Sequence, residues 1–253
     1  MQPPYRPQTR RQRFEKPPLR IQTTTLWEYP SQHYGDGMQG DRAYVGATPS
    51  YILWNVLQRY TREGDLVVDP MCGSGTTLDV ARELGRRGRG FDLAPRRADI
   101  EQADARKLPL QRGEVDLYFV DPPYSDHIHY SDDPACIGKV SAFDPRFYQE
   151  MRRVFEEADR VLKPGGTFAL YVCDFFDKKR GFAPVGFGLF SVFTLFFEPL
   201  DTVAVVRHNK DLEKGNYHLA AERDNFFLRG FNYLFLARKP LAPPKPARRG
   251  SHR

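Results

Sequence analysis

Tryptophan, cysteine and long apolar runs are what this chain has least of. Its 253 residues include three cysteines, Cys72, Cys136 and Cys173, none in a Cys-x-x-Cys spacing. That suits a reducing compartment and argues against a disulfide framework or a zinc cluster, so no metal is expected. No apolar stretch approaches the roughly 20 residues that cross a bilayer. The opening MQPPYRPQTRRQRFEK contains no apolar leader core, so the expected location is the cytoplasm. The two ends are nearly devoid of acid. Residues 1–22 carry six Lys/Arg and one acid, and residues 238–253 carry six Lys/Arg and none.

Hydrophobic residues make up 40% of the chain and aromatic residues 13%, enough for a real core in one sizeable α/β domain. The net charge is +6; the ends contribute +5 and +6, which leaves −5 for residues 23–237. The basicity therefore sits in two proline-rich segments whose composition cannot pack a core. The expected division is a flexible tail over 1–22, one domain over 23–238 and a second flexible tail over 239–253. Such tails either solubilise the domain or act as salt-sensitive arms for phosphate.

Between the tails, helical and strand patterns alternate, which points to an α/β sheet protein. Thr48-Pro49 predicts a helix start, with Thr48 as N-cap and proline at the first helical position. Leu53, Val56, Leu57 and Tyr60 then recur at helical spacing. Asp65 to Asp69 predicts a buried strand that runs into a glycine-rich turn and a helix ending near Leu84-Gly85. Further strands are expected over 88–92, 100–103 and 115–120, a helix over 146–162, and a strand over 167–173. Two long apolar strands, over 193–206 and 226–238, are expected to close the chain, joined by a long polar segment of the kind that often carries function.

The turn Pro70-Met71-Cys72-Gly73-Ser74-Gly75-Thr76-Thr77 is neither Gly-x-Gly-x-x-Gly nor a Walker loop. It would still let a ligand approach the backbone and the free N–H groups of a helix start. Asp69, at the strand end, would repel a phosphate but suit the α-amino group of a methionine-like ligand. Asp92, closing the next strand, is placed like the carboxylate that accepts ribose hydroxyls in dinucleotide sites. Asp104, after the third strand, could accept from an adenine amino group. Three acids at successive strand ends fit S-adenosylmethionine better than a phosphorylated cofactor.

Taken together, Asp69 to Thr77 and the tetrapeptide Asp121-Pro122-Pro123-Tyr124 resemble the cofactor and catalytic motifs of the N6-adenine/N4-cytosine amino-methyltransferase (DNA methylase) family. The resemblance extends to Gly90 to Leu93, to Asp104-Ala105-Arg106 and to Gly46 to Pro49, and covers about residues 44–238. It implies a Rossmann-like class I S-adenosylmethionine-dependent methyltransferase fold, with a mostly parallel seven-stranded sheet and an antiparallel C-terminal strand pair. It also implies cofactor contacts from Thr48, Pro49, Asp69, Pro70, Cys72, Gly73, Ser74, Gly75, Thr76, Thr77, Asp92, Asp104 and Ala105. An exocyclic amine is a poor nucleophile because its lone pair is conjugated into the ring. Asp121 can accept one of its N–H groups and the Pro122 carbonyl the other, on a backbone fixed beforehand by Pro122 and Pro123. Tyr124 offers a stacking face for a base taken out of its stack. No Pro-Cys dipeptide occurs, which excludes the thiolate chemistry of C5-cytosine methylation.

The loop after the tetrapeptide contains His127, His129 and Tyr130. The histidines are expected to face substrate rather than to bind metal, since no third ligand has recognisable spacing; Tyr130 is a candidate second stacking wall. The expected partner is nucleic acid. The family default is DNA, methylated at N4 of cytosine or N6 of adenine. The chain has room only for short insertions, and its stretches Tyr124 to Pro134 and Phe226 to Tyr233 also resemble compact archaeal-type enzymes acting on N4 of an rRNA cytidine. A reading of another class is an inactive S-adenosylmethionine-binding partner protein. The intact Asp121 and Tyr124 speak against it.

Overall fold

The computed structural model describes residues 16–124, 129–208, 212 and 214–241. A short strand β1 (Leu26–Trp27) precedes α1 (Ser50–Tyr60), β2 (Leu66–Asp69) and α2 (Thr76–Glu83). Then follow β3 (Arg87–Asp92), β4 (Ile100–Gln102), β5 (Val115–Val120), a 3-10 turn at Ile137–Lys139, α3 (Pro145–Val161) and β6 (Leu162–Val172). The chain continues through a small hairpin, β7 (Phe175–Asp177) and β8 (Gly181–Ala183), to α4 (Val185–Phe193) and β9 (Glu198–Val206), then α5 (Gly215–Asp224) and β10 (Phe231–Arg238).

Eight strands form the main sheet in the order β1-β9-β10-β6-β5-β2-β3-β4. β10 runs antiparallel to both β6 and β9, while every other neighbouring pair is parallel. The carboxyl ends of β2, β3, β5, β6 and β9 therefore share one edge of the sheet, together with the amino end of β10. Ligands of open α/β sheets bind at that edge, where the direction of strand succession reverses. Here the reversal falls between β2 and β5.

Residues alternate between two faces, and each face has its own helices. Val68, Tyr118, Val120, Phe168 and Leu170 pack under α3 and α4, through Phe147, Met151, Val154, Phe155, Leu189 and Phe193. Val67, Leu117, Phe119, Tyr171 and Val205 pack under α1 and α2, through Ile52, Leu53, Val56, Leu57 and Val80. Phe155 is fully buried and contacts Phe168 edge to face, with ring centroids 5.4 Å apart. Aromatic burial of this kind stabilises by several kcal/mol per ring, about 3–5 for Phe→Ala truncations. The result is a three-layer sandwich with the reactive edge left open at one end.

Several sequence expectations shift. The sheet has eight strands rather than seven, because Leu26 and Trp27 pair with Ala204 and Val205 at the outer edge. The strand expected over 193–206 begins only at Glu198, since Val185–Phe193 is helical; an all-apolar segment has no period to distinguish helix from strand. Thr48 does not cap α1: Pro49 is the N-cap residue, without a side-chain cap bond, and the Thr48 hydroxyl is used elsewhere. The packed chain also reaches back before residue 23. Leu19 packs against the α1 face, the Gln22 N–H donates to Asn55 Oδ1 at 2.8 Å, and Tyr29 Oη donates to the Pro17 carbonyl at 3.0 Å. The two arms expected over 1–22 and 239–253 otherwise lie largely outside the described residues.

Candidate active site

Asp69 ends β2 in a fully buried strand. Its Oδ1 accepts the Met71 N–H at 3.1 Å and its Oδ2 accepts the Thr77 hydroxyl at 2.5 Å. No Lys or Arg pairs with it among the described residues. Burial, with Asp92 nearby, raises its pKa from 3.8 to about 7, against the downward pull of its two donors. A buried carboxylate without a cation is costly unless a cationic ligand approaches it. Asp92 holds the turn from the other side, accepting the Gly73 N–H at 3.0 Å and the Ala94 N–H at 3.0 Å.

The turn owes its shape to two glycines. Gly73 has φ +46°, and a Cβ there would lie 2.6 Å from the Tyr44 ring. Gly75 has φ +78° and is the N-cap residue of α2; a Cβ there would meet Arg97 at 2.5 Å. Arg97 clamps the turn from outside. Its guanidinium donates to the Ser74 and Gly75 carbonyls and to the Asp79 and Asp99 carboxylates. Gly75 thus faces Arg97 and does not line the cavity, whereas Cys72, Gly73, Ser74, Thr76 and Thr77 do. Ser74 Oγ and Thr76 Oγ1 are hydrogen-bonded to each other at 2.8 Å.

That cavity has a volume of about 600 Å³ and runs along the reactive edge from Asp69 to Asp121, Arg207 and Asn232. Thr48 and Pro49 line its wall, with Pro122, Tyr124 and Tyr130. A smaller recess of about 80 Å³ adjoins it, lined by Pro70, Asp92, Ala103, Asp104, Ala105 and Ile137 among others. Tyr44 lines both, and its hydroxyl pKa is pushed upward by burial first and then by Asp92. Asp104 is neutralised within the chain: Arg106 donates to both its oxygens, at 2.8 Å and 2.6 Å. Arg106 is itself held by Glu150 and by the Ala135 carbonyl. Any ligand accepted by Asp104 therefore shares its carboxylate with a guanidinium.

Asp121 follows β5 directly. The Thr48 hydroxyl donates to its Oδ2 at 2.6 Å, which joins the loop before α1 to the strand end. Burial, and then Asp69, raise its pKa from 3.8 to about 7, while Thr48 and Arg207 pull it down. Tyr124 and Tyr130 stand beside it, with hydroxyl pKa values raised by burial. His129 is brought to a different place. It is exposed, pairs with Asp132 at 3.1 Å and lines neither cavity. His127 lies outside the described residues.

Residues that sequence reasoning passed over complete the wall: Tyr44, Tyr51, Tyr171, Arg207 and Asn232. Arg207 follows β9, which was expected as one member of the antiparallel C-terminal strand pair. Once β9 is seen to run parallel to β6, the residue after it belongs to the reactive edge. Among the described residues, no group of three His, Cys, Asp or Glu side chains could hold a metal ion. No described helix is long and apolar enough to cross a membrane.

The strand order and the antiparallel β10 define the class I S-adenosylmethionine-dependent methyltransferase fold. The residues present suit that cofactor: a buried, unpaired Asp69, a turn stripped of side chains at Gly73, and a recess beside Asp92 and Asp104. Known proteins agree with the fold and narrow the family. The chain resembles the crystal structure of the [4+2]-cyclase SpnF, with a TM-score of 0.51 at 17% identity over 81% of this chain and 89% of that one. It also resembles TrmN from Thermus thermophilus, with a TM-score of 0.50 at 20% identity over 77% of this chain and 50% of that one. Residues 1–103 match the family described as DNA methylase, a span that includes the turn at 69–77 and stops short of Asp121.

Two curated relatives are type II methyltransferases. M2.DpnII of Streptococcus pneumoniae is 50% identical over 44 residues, 17% of this chain and 16% of the relative. M.HinfI of Haemophilus influenzae is 28% identical over 79 residues, 31% of this chain and 22% of the relative. The similarity thus spans less than a quarter of either relative's length.

Proposed function

We propose that this chain transfers a methyl group from S-adenosylmethionine to the exocyclic amino nitrogen of a nucleic-acid base, with DNA as the substrate and N4 of cytosine or N6 of adenine as the target. The observation that carries the reading is Asp121, a carboxylate on the reactive edge, tied to Thr48 and opening onto a cavity that also reaches Asp69. When bound, the cofactor supplies an electrophilic methyl group. The chain's own residues do the rest. Asp121 and the Pro122 carbonyl would accept the two N–H groups of the amine, drawing its lone pair out of conjugation and aiming it. Pro122 and Pro123 hold these acceptors in place before substrate arrives, so little reorganisation is needed. Tyr124, with Tyr130 also lining the cavity, would offer a stacking face to the base once it has left its stack. Asp121 must be ionised to act, and its raised pKa places that requirement near neutrality.

The family matched by residues 1–103 and the two type II relatives support DNA as the polymer. The direct test is incorporation of radiolabelled methyl from S-adenosylmethionine into DNA and into rRNA, with the wild type and Asp121→Ala side by side. Labelled DNA that disappears with Asp121→Ala supports the proposal. Labelled rRNA alone would move the substrate to RNA. Equal label with both proteins, or none with either polymer, would sink the enzyme reading in favour of a cofactor-binding partner protein.

A further inference from the structure

Beside Asp121 the large cavity is lined by residues that the proposed amine chemistry leaves unused. β-strand alternation places Phe119 and Asp121, Tyr171 and Cys173, Val205 and Arg207 on the sheet face covered by α1. Asn232 pairs directly with Val205 across the β9–β10 ladder, so it shares that face. Asp121, Arg207, Asn232, Tyr51 and Tyr171 therefore converge on the same cavity. Arg207 is fixed there by its backbone N–H to the Gly230 carbonyl at 2.9 Å and by Nη1 donating to Cys173 Sγ at 3.2 Å. Thiol sulfur is a weak acceptor. Among the described residues it is the one partner found for a side chain with five N–H donors.

Two further groups at this end lack partners among the described residues. Asn232 Oδ1 and the Tyr51 hydroxyl are both buried without a hydrogen bond there, in residues 9% and 2% exposed. Both residues line the cavity. Buried polar groups are rarely left unsatisfied, and vacancies of this kind mark a functional region or the place of an ordered water. The cavity thus offers an acceptor at Asp121 and, beside it, the under-used donors of Arg207. Its occupant should be complementary: an amine at one end and hydrogen-bond acceptors at the other.

We infer that the base held in this cavity is cytosine, with its amine at Asp121 and its N3 and O2 edge read by Arg207. The inference rests on the proposed amine methylation and names its base. Cytosine places two acceptors, N3 and O2, in succession after its amino group. A guanidinium fork matches such a pair. Adenine offers one acceptor, N1, followed by a C–H that would leave a charged donor unmet. The guanine amino group is flanked on one side by N1–H, which would set donor against donor. A hydrogen bond to a charged group is worth about tenfold to a hundredfold in discrimination at such a site.

The test is mass spectrometry of nucleosides from heat-denatured genomic DNA and total RNA after incubation with the full chain and S-adenosylmethionine. The expected product is N4-methylcytosine, in at least about tenfold excess over N6-methyladenine and N2-methylguanine. A dominant product on adenine or guanine overturns the cytosine assignment and leaves amine methylation standing. No methylated base in either polymer overturns both. Arg207→Met, close in length and uncharged, should lower the cytosine rate about tenfold to a hundredfold and bring the cytosine-to-adenine ratio toward one. Its affinity for S-adenosylhomocysteine should not change. Arg207→Lys, which keeps the charge without the fork, should fall between the two. If Arg207 instead binds a phosphate, Arg207→Met will weaken all bases equally and reduce the salt dependence of binding; that result overturns the inference. Should Arg207→Met fail to fold, Arg207→Lys and the identity of the wild-type product decide the matter.

Discussion

Replacing Thr48 by valine removes one hydrogen bond and almost nothing else, since the two side chains share a shape. The bond removed is the 2.6 Å donation to Asp121 Oδ2. A donor to a carboxylate favours its charged form, so losing it must raise the pKa of Asp121 further above about 7. Hydrogen bonds to charged groups contribute about 1.5–3 kcal/mol, and one pH unit corresponds to about 1.4 kcal/mol. The full effect would be one to two pH units. Asp121 opens onto a cavity that water can enter, so the lower figure, about one unit, is the expectation. The assay is kcat/KM for methyl transfer between pH 5.5 and 9.5 at saturating S-adenosylmethionine. In both proteins the rate should fall as pH drops and Asp121 takes up its proton, with the acid limb of Thr48→Val lying about one unit higher. The comparison is between two enzymes in the same cofactor-bound state, so the cofactor's positive charge affects both limbs alike. Thr48→Ser keeps the hydroxyl and should bring the limb back. An acid limb that stays put in Thr48→Val, or moves downward, would refute the assignment of Asp121 as the titrating acceptor.

Three other outcomes follow from the same geometry. Asp121→Asn should abolish methyl transfer yet stabilise the fold at pH 8. A carboxyl whose pKa is about 7 in the folded chain and 3.8 otherwise loses stability as pH rises between those values. At about 1.4 kcal/mol per pH unit the upper limit is roughly 4 kcal/mol. With cavity water a rise of several degrees in Tm is expected at pH 8, and little change at pH 4; equal shifts at both pH values would contradict it. Gly73→Ala should weaken S-adenosylhomocysteine binding by at least about tenfold, because the added Cβ meets Tyr44 and the positive φ disfavours alanine. Calorimetric titration checks this, and an unchanged Kd would show that the turn does not need to be bare. Arg97→Gln should also raise that Kd, by loosening the turn whose carbonyls it holds; since Arg97 touches neither cavity, kcat at saturating cofactor should hold within about threefold.

The cofactor half of the site is legible in the sequence because it is local. Asp69, the glycine turn and the start of α2 lie within one strand–turn–helix unit, and short-range pattern reports short-range geometry. Asp92 was equally open, as the next strand end. Thr48 was misread for an instructive reason. Threonine before proline and a helical run satisfies the rule for a capping residue, but the helix takes Pro49 as its N-cap, and the Thr48 hydroxyl is left to donate to an acceptor outside the helix. That acceptor, Asp121, is 73 residues away in sequence. His129 shows the converse: a histidine close to the catalytic tetrapeptide in sequence, yet turned to solvent against Asp132.

The substrate half depends on topology. Tyr51 comes from α1, Tyr171 from β6, Arg207 from the residue after β9, and Asn232 from the start of β10. Only the insertion of an antiparallel β10 between β6 and β9 brings the amino end of one strand beside the carboxyl ends of the others. Had β9 and β10 formed a hairpin apart from the sheet, Asn232 and Arg207 could still be neighbours. Nothing would then set them beside Asp121. The sheet order does, by putting β10 against β6 and β6 against β5. On the proposed function, chemistry on the amine is encoded in a tetrapeptide, whereas the choice among bases is encoded in the order of strands.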